Sequence, residues 1–277
     1  MRWIAVMSLL AACSGSSTET PKPDPEPVMA EPVPETPELS ADELKGSAEN
    51  TALVPSPIET QRALEAAGID TQLATLIPAH DFDLDNGDLE QAAVRSGVYL
   101  ADMMLTVKTA EKDDVVKRLE AVRKGMAQLK GGSDIDAVLV EYQDSVKTDA
   151  ISRDALLKEL DELSGAVIPE LEFNGQERVV PLIEAGSWLE GANLMARAVK
   201  AKGKPDAADG LLKQPQVVDY FLKYVKEEGA DKAPVQVADK LQESLTTLKG
   251  LAEKKEPLTP EDIDSVIQVT SDVLALL

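Results

Sequence analysis

Proline is divided unevenly along this chain, and that division constrains the fold more than any other feature. Nine of the 17 prolines fall between Ser14 and Pro57, in runs such as Pro21-Lys22-Pro23-Asp24-Pro25-Glu26-Pro27. The same stretch holds nine acidic residues against two basic ones, a net charge of −7, and few apolar side chains. Such a composition buries too little surface to offset the entropy of ordering. Residues 13–57 are therefore expected to form a disordered, acidic, Pro-rich tether, extended at about 3.1 Å per residue where polyproline geometry holds. The other eight prolines are scattered over the 220 residues from Ile58 to Leu277, which leaves long uninterrupted stretches free to become helices.

Punctuation and periodicity in 58–277 read as helices almost throughout. Asp88 is placed to cap a long apolar helix ending near Thr109. Thr109 is placed to cap the next, which stops at Gly131-Gly132, and Ser133 with Asp136 resembles a capping box. Ser152 starts a helix expected to end before Pro169. A very apolar helix follows from about Gln176 to Lys202, closed by Gly203-Lys204-Pro205. Two more run over Gln216–Glu228 and Val235–Glu253. Thr259-Pro260-Glu261-Asp262 then supplies a cap, a proline at the first helical position and acids in the first turn. No segment alternates with period two, so the fold class expected is all-α, a helical bundle.

The two most apolar helices share a pattern. Gly97-Val98-Tyr99-Leu100 with Leu105 and Lys108 aligns with Gly186-Ser187-Trp188-Leu189 with Leu194 and Arg197, at an offset of 89. Each is followed by three further helical segments. Two tandem four-helix units are expected on this basis, about 88–168 and 176–277, each opening with its central helix.

Composition removes several function classes. One cysteine and one histidine allow no internal disulfide and no site needing two His or two Cys ligands. The chain carries 28 Lys and Arg against 50 Asp and Glu, a net charge of −22. A phosphate backbone would be repelled by that balance, so no nucleic-acid partner is expected. No cofactor is implied.

The opening run, Met1-Arg2-Trp3-Ile4-Ala5-Val6-Met7-Ser8-Leu9-Leu10-Ala11-Ala12-Cys13, places one positive charge before a short apolar stretch. It is about half the length needed to span ~30 Å of hydrocarbon and suits the apolar core of a signal peptide. Leu10-Ala11-Ala12-Cys13 resembles the bacterial lipobox, and the sole cysteine sits where that motif requires it. The resemblance covers only this segment. It implies removal of residues 1–12 and acylation of Cys13, several chains on one residue giving a durable anchor. Ser14, where an Asp would favour retention at the inner membrane, implies the outer membrane of a Gram-negative bacterium.

Three features of the body could carry chemistry. The first is the acidic turn with Asp81, Asp83 and Asp85 beside Asn86 and Gly87, whose alternating carboxylates suit a hard cation. An EF-hand counted from Asp81 needs Gly sixth and Glu twelfth; Asn86 and Ala92 stand there, so a solvated turn is the better reading. The second is His80, read as a solvated or carboxylate-paired loop histidine. The third is a pair of polar stripes: Arg95, Tyr99 and Asp102 on one central helix, and Glu190, Asn193 and Arg197 on the other. These are either exposed faces or a buried network or cleft, in which the pairs Arg95–Asp102 or Glu190–Arg197 could be completed only across helices. Trp188 is read as core. Di-iron helical proteins need Glu-x-x-His pairs, and the GxHxxE motif of imelysin-like proteins is absent, since Gly186-Ser187-Trp188-Leu189-Glu190 has no histidine. The body resembles, at most, uncharacterised helical envelope lipoproteins of bacteria. The expected function is a non-enzymatic protein-interaction module held on a membrane through Cys13, with another envelope protein as partner. The alternative is a small-molecule or metal carrier using a cleft between bundles.

Overall fold

Several helices of this protein start at a side chain that satisfies free N–H groups of the first turn. The computed structural model describes residues 54–69, 72–77, 80–84, 88–130, 133–229 and 235–277, within one compact unit from Lys45 to Leu277. Residues 1–53, with the signal-like opening run, Cys13 and most of the expected tether, lie outside the described residues. At the start of helix α1 (Pro57–Ala66), the Ser56 hydroxyl accepts from the Glu59 N–H while the Glu59 carboxylate accepts from the Ser56 N–H, at 2.8 Å. The tether boundary drawn at Pro57 is thereby corrected: Ser56 and Pro57 belong to the helical body. Asp88 caps α2 (Leu89–Thr106) by accepting from the Gln91 N–H at 2.7 Å.

Thr109 does not cap the next helix. Its hydroxyl instead accepts from the Ala74 N–H at 3.2 Å, tying down the short turn Leu73–Thr75, and α3 (Lys112–Gln128) begins after Glu111. Helix α4 (Ser133–Lys147) follows. Ser152 caps α5 (Arg153–Phe173), which passes through Pro169 instead of ending before it. The carbonyl that the Pro169 ring displaces belongs to Gly165, on an exposed turn where water can take its place. Val167 and Leu171, both buried, hold the helix on course across the proline.

A single turn, Glu177–Val179, leads into α6 (Val180–Lys202), which ends at Gly203 in the left-handed conformation, φ 61°. The chain continues through α7 (Ala208–Leu212), α8 (Pro215–Tyr224), a wide π turn (Val225–Gly229) and α9 (Val235–Ala252). Helix α10 (Pro260–Leu274) opens with the Thr259–Asp262 capping box. The protein is all-α: no strand occurs among the described residues.

Helices α2 and α6 cross at two glycines. A Cβ on Gly97 would stand 2.0 Å from the Ile183 carbonyl oxygen, and one on Gly186 would stand 2.0 Å from the Val94 carbonyl oxygen. Each glycine meets the carbonyl of the residue three before the other, so the crossing has a local two-fold relation, at the offset of 89 residues seen in the sequence. The pair is buried on both sides. Met103, Met104 and Val107 of α2 join Leu119, Leu139, Leu156 and Leu160 in one core; Val98, Ala101 and Leu105 join Leu194, Met195, Phe221 and Val266 in another.

Away from the crossing the two halves part company. Helix α3, next in the chain, lies along α2, whereas α6 takes α10, the last helix, as its main neighbour. The helices expected to open separate units thus pack on each other, and their own followers are arranged differently.

Gly97→Ala and Gly186→Ala should each destabilise the fold by at least about 1–3 kcal/mol, because the new methyl meets backbone that cannot swing aside. Gly165→Ala, in an exposed helical turn with nothing within 4 Å of the added carbon, should stabilise by about 0.5–1 kcal/mol. Urea unfolding of the three variants checks the contrast.

Candidate functional site: a buried charge cluster at the helix crossing

Residues 80–84 fold back over α2. The Phe82 N–H donates to the Tyr99 hydroxyl oxygen at 2.9 Å, and Arg95 donates from Nη1 to the Asp83 carbonyl and from Nε to the Leu277 carbonyl at 2.6 Å. The His80 ring stacks on Phe82 with centroids 4.9 Å apart, and Phe82 meets Tyr99 edge-on at 5.3 Å. This small aromatic stack turns the imidazole inward. His80 Nε2 lies 3.1 Å from Glu190 Oε2, one helical turn beyond Gly186 on α6.

A second ion pair completes the cluster. Arg118 reaches from α3 to α2, where its Nη1 donates to Asp102 Oδ2. Asp102 and Glu190 are each only 1 % exposed. His80 and Arg118 retain 11 % and 10 % of their side-chain exposure. Two carboxylates, one guanidinium and one imidazole therefore share a dry site, where charge must be compensated locally. Charges balance when the imidazole is protonated and both carboxylates are ionised.

Hydrogen bonding within the cluster is incomplete. His80 Nε2, Glu190 Oε2, Asp102 Oδ1 and Arg118 Nε are buried without a hydrogen-bond partner among the described residues. His80 and Glu190 are within hydrogen-bonding distance, and both that contact and their charges favour the protonated imidazole. Burial by itself lowers the His80 pKa, but Glu190 and then Asp102 outweigh that and hold it above 6.5. Burial pushes the Asp102 carboxyl up to about 7, against the pull of Arg118. Tyr99 is raised by its burial as well.

The six polar residues singled out on the central helices do not line one cleft. Asp102 and Glu190 belong to the charge cluster, and Tyr99 and Arg95 hold the 80–84 segment above it. Asn193 and Arg197 face α10 instead. Asn193 Nδ2 donates to the Thr270 and Ser271 hydroxyls at 2.7 and 2.9 Å, and Arg197 donates to Asn193 Oδ1 at 2.7 Å and to the Ser271 hydroxyl at 3.1 Å. That network clamps α6 to α10. Trp188 packs on Phe221 and donates from Nε1 to Gln214 Oε1 at 2.8 Å. Beside it lies a cavity of about 10 Å³ lined by Met195, Leu211 and Val266 among others, at the lower limit for one water.

The acidic turn offers less to a cation than its composition suggests. Asp81 is exposed, the Asp83 carbonyl serves Arg95, and Asp85 lies outside the described residues. Among the described residues, no group of three or more His, Cys, Asp or Glu is placed to hold a metal ion. No family model, no curated protein and no solved structure matches this chain.

Arg118 was not singled out from the sequence, although a signal was present. It lies three residues after Val115 and four before Val122, on the buried stripe of α3, where a guanidinium needs an anionic partner. His80 is carboxylate-paired, and its partner lies on a helix far along the chain.

Arg118→Ala should cost about 3–5 kcal/mol, the usual result of stranding a buried charge. Adding Asp102→Asn should recover part of that loss, since the stranded charge is then gone. Thermal unfolding of the single and double variants measures both.

Proposed function

We propose that this chain is a lipid-anchored protein of the bacterial cell envelope, held through Cys13, whose acidic helical body engages another envelope protein without catalysing a reaction. The observation that carries this reading is how the central polar residues are used. Asp102 pairs with Arg118, Glu190 with His80, and Asn193 and Arg197 with α10. Their polar atoms join helices and do not converge on one shared cleft, which favours an outer surface as the working face. That surface has a large acid surplus: 58–277 carries 41 acidic against 25 basic residues, a net charge of −16. A basic partner surface would be steered to it, with an association rate that falls as salt is added. Phe173, 87 % exposed at the end of α5 beside Glu170 and Glu172, is an apolar point of contact within that acidic surround.

Anchorage rests on the lipobox-like Leu10-Ala11-Ala12-Cys13. No helix among the described residues is long and apolar enough to cross a membrane. Acyl chains on Cys13 would supply the attachment, and the Pro-rich run would hold the body away from the lipid. Ser14 favours the outer membrane.

Cys13→Ala should release the protein from membranes or leave an uncleaved precursor, as seen by fractionation and mass spectrometry. Mature protein still sedimenting with membranes would overturn the anchor. A photo-crosslinker placed at position 173 in native membranes should capture a basic envelope protein. Capture of nothing, together with a shift of Trp188 fluorescence on adding a metabolite or metal ion, would favour the carrier reading.

A further inference from the structure

We propose that residues 80–84 form a proton-operated clasp: His80 grips Glu190 at the α2–α6 crossing while it carries a proton and lets go when it loses it. Several contacts fasten the segment to α2: the Phe82 N–H donates to Tyr99, the Tyr99 hydroxyl faces the Phe82 and His80 carbonyls at 3.4 and 3.5 Å, Arg95 donates to the Asp83 carbonyl, and Leu84 is buried. His80 on Glu190 is a further fastening, and it differs in kind because it titrates near neutrality. The two atoms are 3.1 Å apart, so the contact is strongest when an imidazolium faces the carboxylate and weakens when His80 is neutral.

Every element packed around His80 presents a charged or titratable group. Helix α2 brings Asp102 and the Tyr99 hydroxyl, α3 brings Arg118, α6 brings Glu190, and the segment itself brings Asp81. Arg118 is already committed to Asp102. When His80 is neutral, Glu190 is therefore a buried carboxylate without a counter-charge of its own, a state that burial disfavours unless water enters. Lifting the segment admits that water. It also lifts Phe82 off Tyr99 and exposes the buried aromatic face beneath.

The direction of the response follows from linkage. Glu190 and Asp102 raise the His80 pKa in the closed state above 6.5, its ordinary value when the segment is open. Closure is therefore fully favoured below 6.5 and is lost as pH rises towards the closed-state value. Across that interval the His80 proton alone should raise the opening constant by up to about tenfold per pH unit before it levels off.

The sole histidine makes the test direct. In the full chain, one imidazole Cε1–H resonance can be followed by NMR from about pH 5.5 to about pH 9, alongside amide exchange corrected for its intrinsic pH dependence. The expected result is a His80 midpoint above 6.5 and a loss of Phe82 amide protection across the same range, with Leu139 in α4 unchanged. Glu190→Gln should lower the midpoint, and His80→Gln should remove the pH dependence at Phe82. A His80 midpoint at or below 6.5 overturns the proposal. So does Phe82 protection that stays within about twofold while His80 titrates, or protection that falls equally at Leu139. The wild-type titration decides the matter even where a variant does not fold.

Discussion

Two glycines, Gly97 and Gly186, let α2 and α6 touch backbone to backbone, and the rest of the molecule is arranged around that contact. With a Cβ standing only 2.0 Å from a carbonyl oxygen on either side, any larger residue would force the axes apart. A wider spacing would open both flanking cores, because α2 and α6 supply side chains to each. Close approach by small residues gains dispersion contacts along the whole crossing. A second close contact reinforces it: Gly125 of α3 lies against Ser96 of α2, whose hydroxyl turns back to the Ala92 carbonyl at 2.6 Å. The central pair is thus fixed on more than one side.

Into this tight crossing the chain places four charged or chargeable groups. Replacing such a cluster with well-fitted apolar residues is often neutral or stabilising in proteins generally, so its presence calls for a role beyond holding helices together. Asp102 with Arg118 ties α2 to α3 by a charge-assisted bond, a pairing insensitive to pH over most of the neutral range on the guanidinium side. His80 with Glu190 ties a short segment to α6 through a group that titrates near neutrality. Juxtaposing a permanent cation and a switchable one over two buried carboxylates, one of them held at about 7, gives a site whose net charge changes near neutrality.

The polar contacts on the other side of α6 have a different character. Asn193, Arg197, Thr270 and Ser271 form a hydrogen-bonded clamp in which the donors and acceptors are matched. It fixes α10 on α6 and orients the far core around Trp188 and Phe221. One face of the central helix therefore carries a satisfied network and the other an incomplete one, and only the incomplete one can respond to a proton.

Helix positions were legible in the sequence because capping acts over three or four residues. Asp88, Ser152 and Thr259 each bond to the backbone N–H three residues on, and the α6 stop at Gly203 needs only its own left-handed turn. Ser56 carried the same signal, obscured by its place beside the last prolines of the tether. The offset joining Gly97 to Gly186 was likewise readable, since small residues at matching places mark helices that touch. Tertiary structure decided what those local rules leave open. Thr109 gave its hydroxyl to Ala74 across space, Pro169 was carried through by buried neighbours, and Arg118 and His80 met carboxylates on other helices. Capping pairs groups a fixed few residues apart, whereas buried charges pair with whatever the packing brings within 3 or 4 Å, and that distance is set only once the helices have crossed.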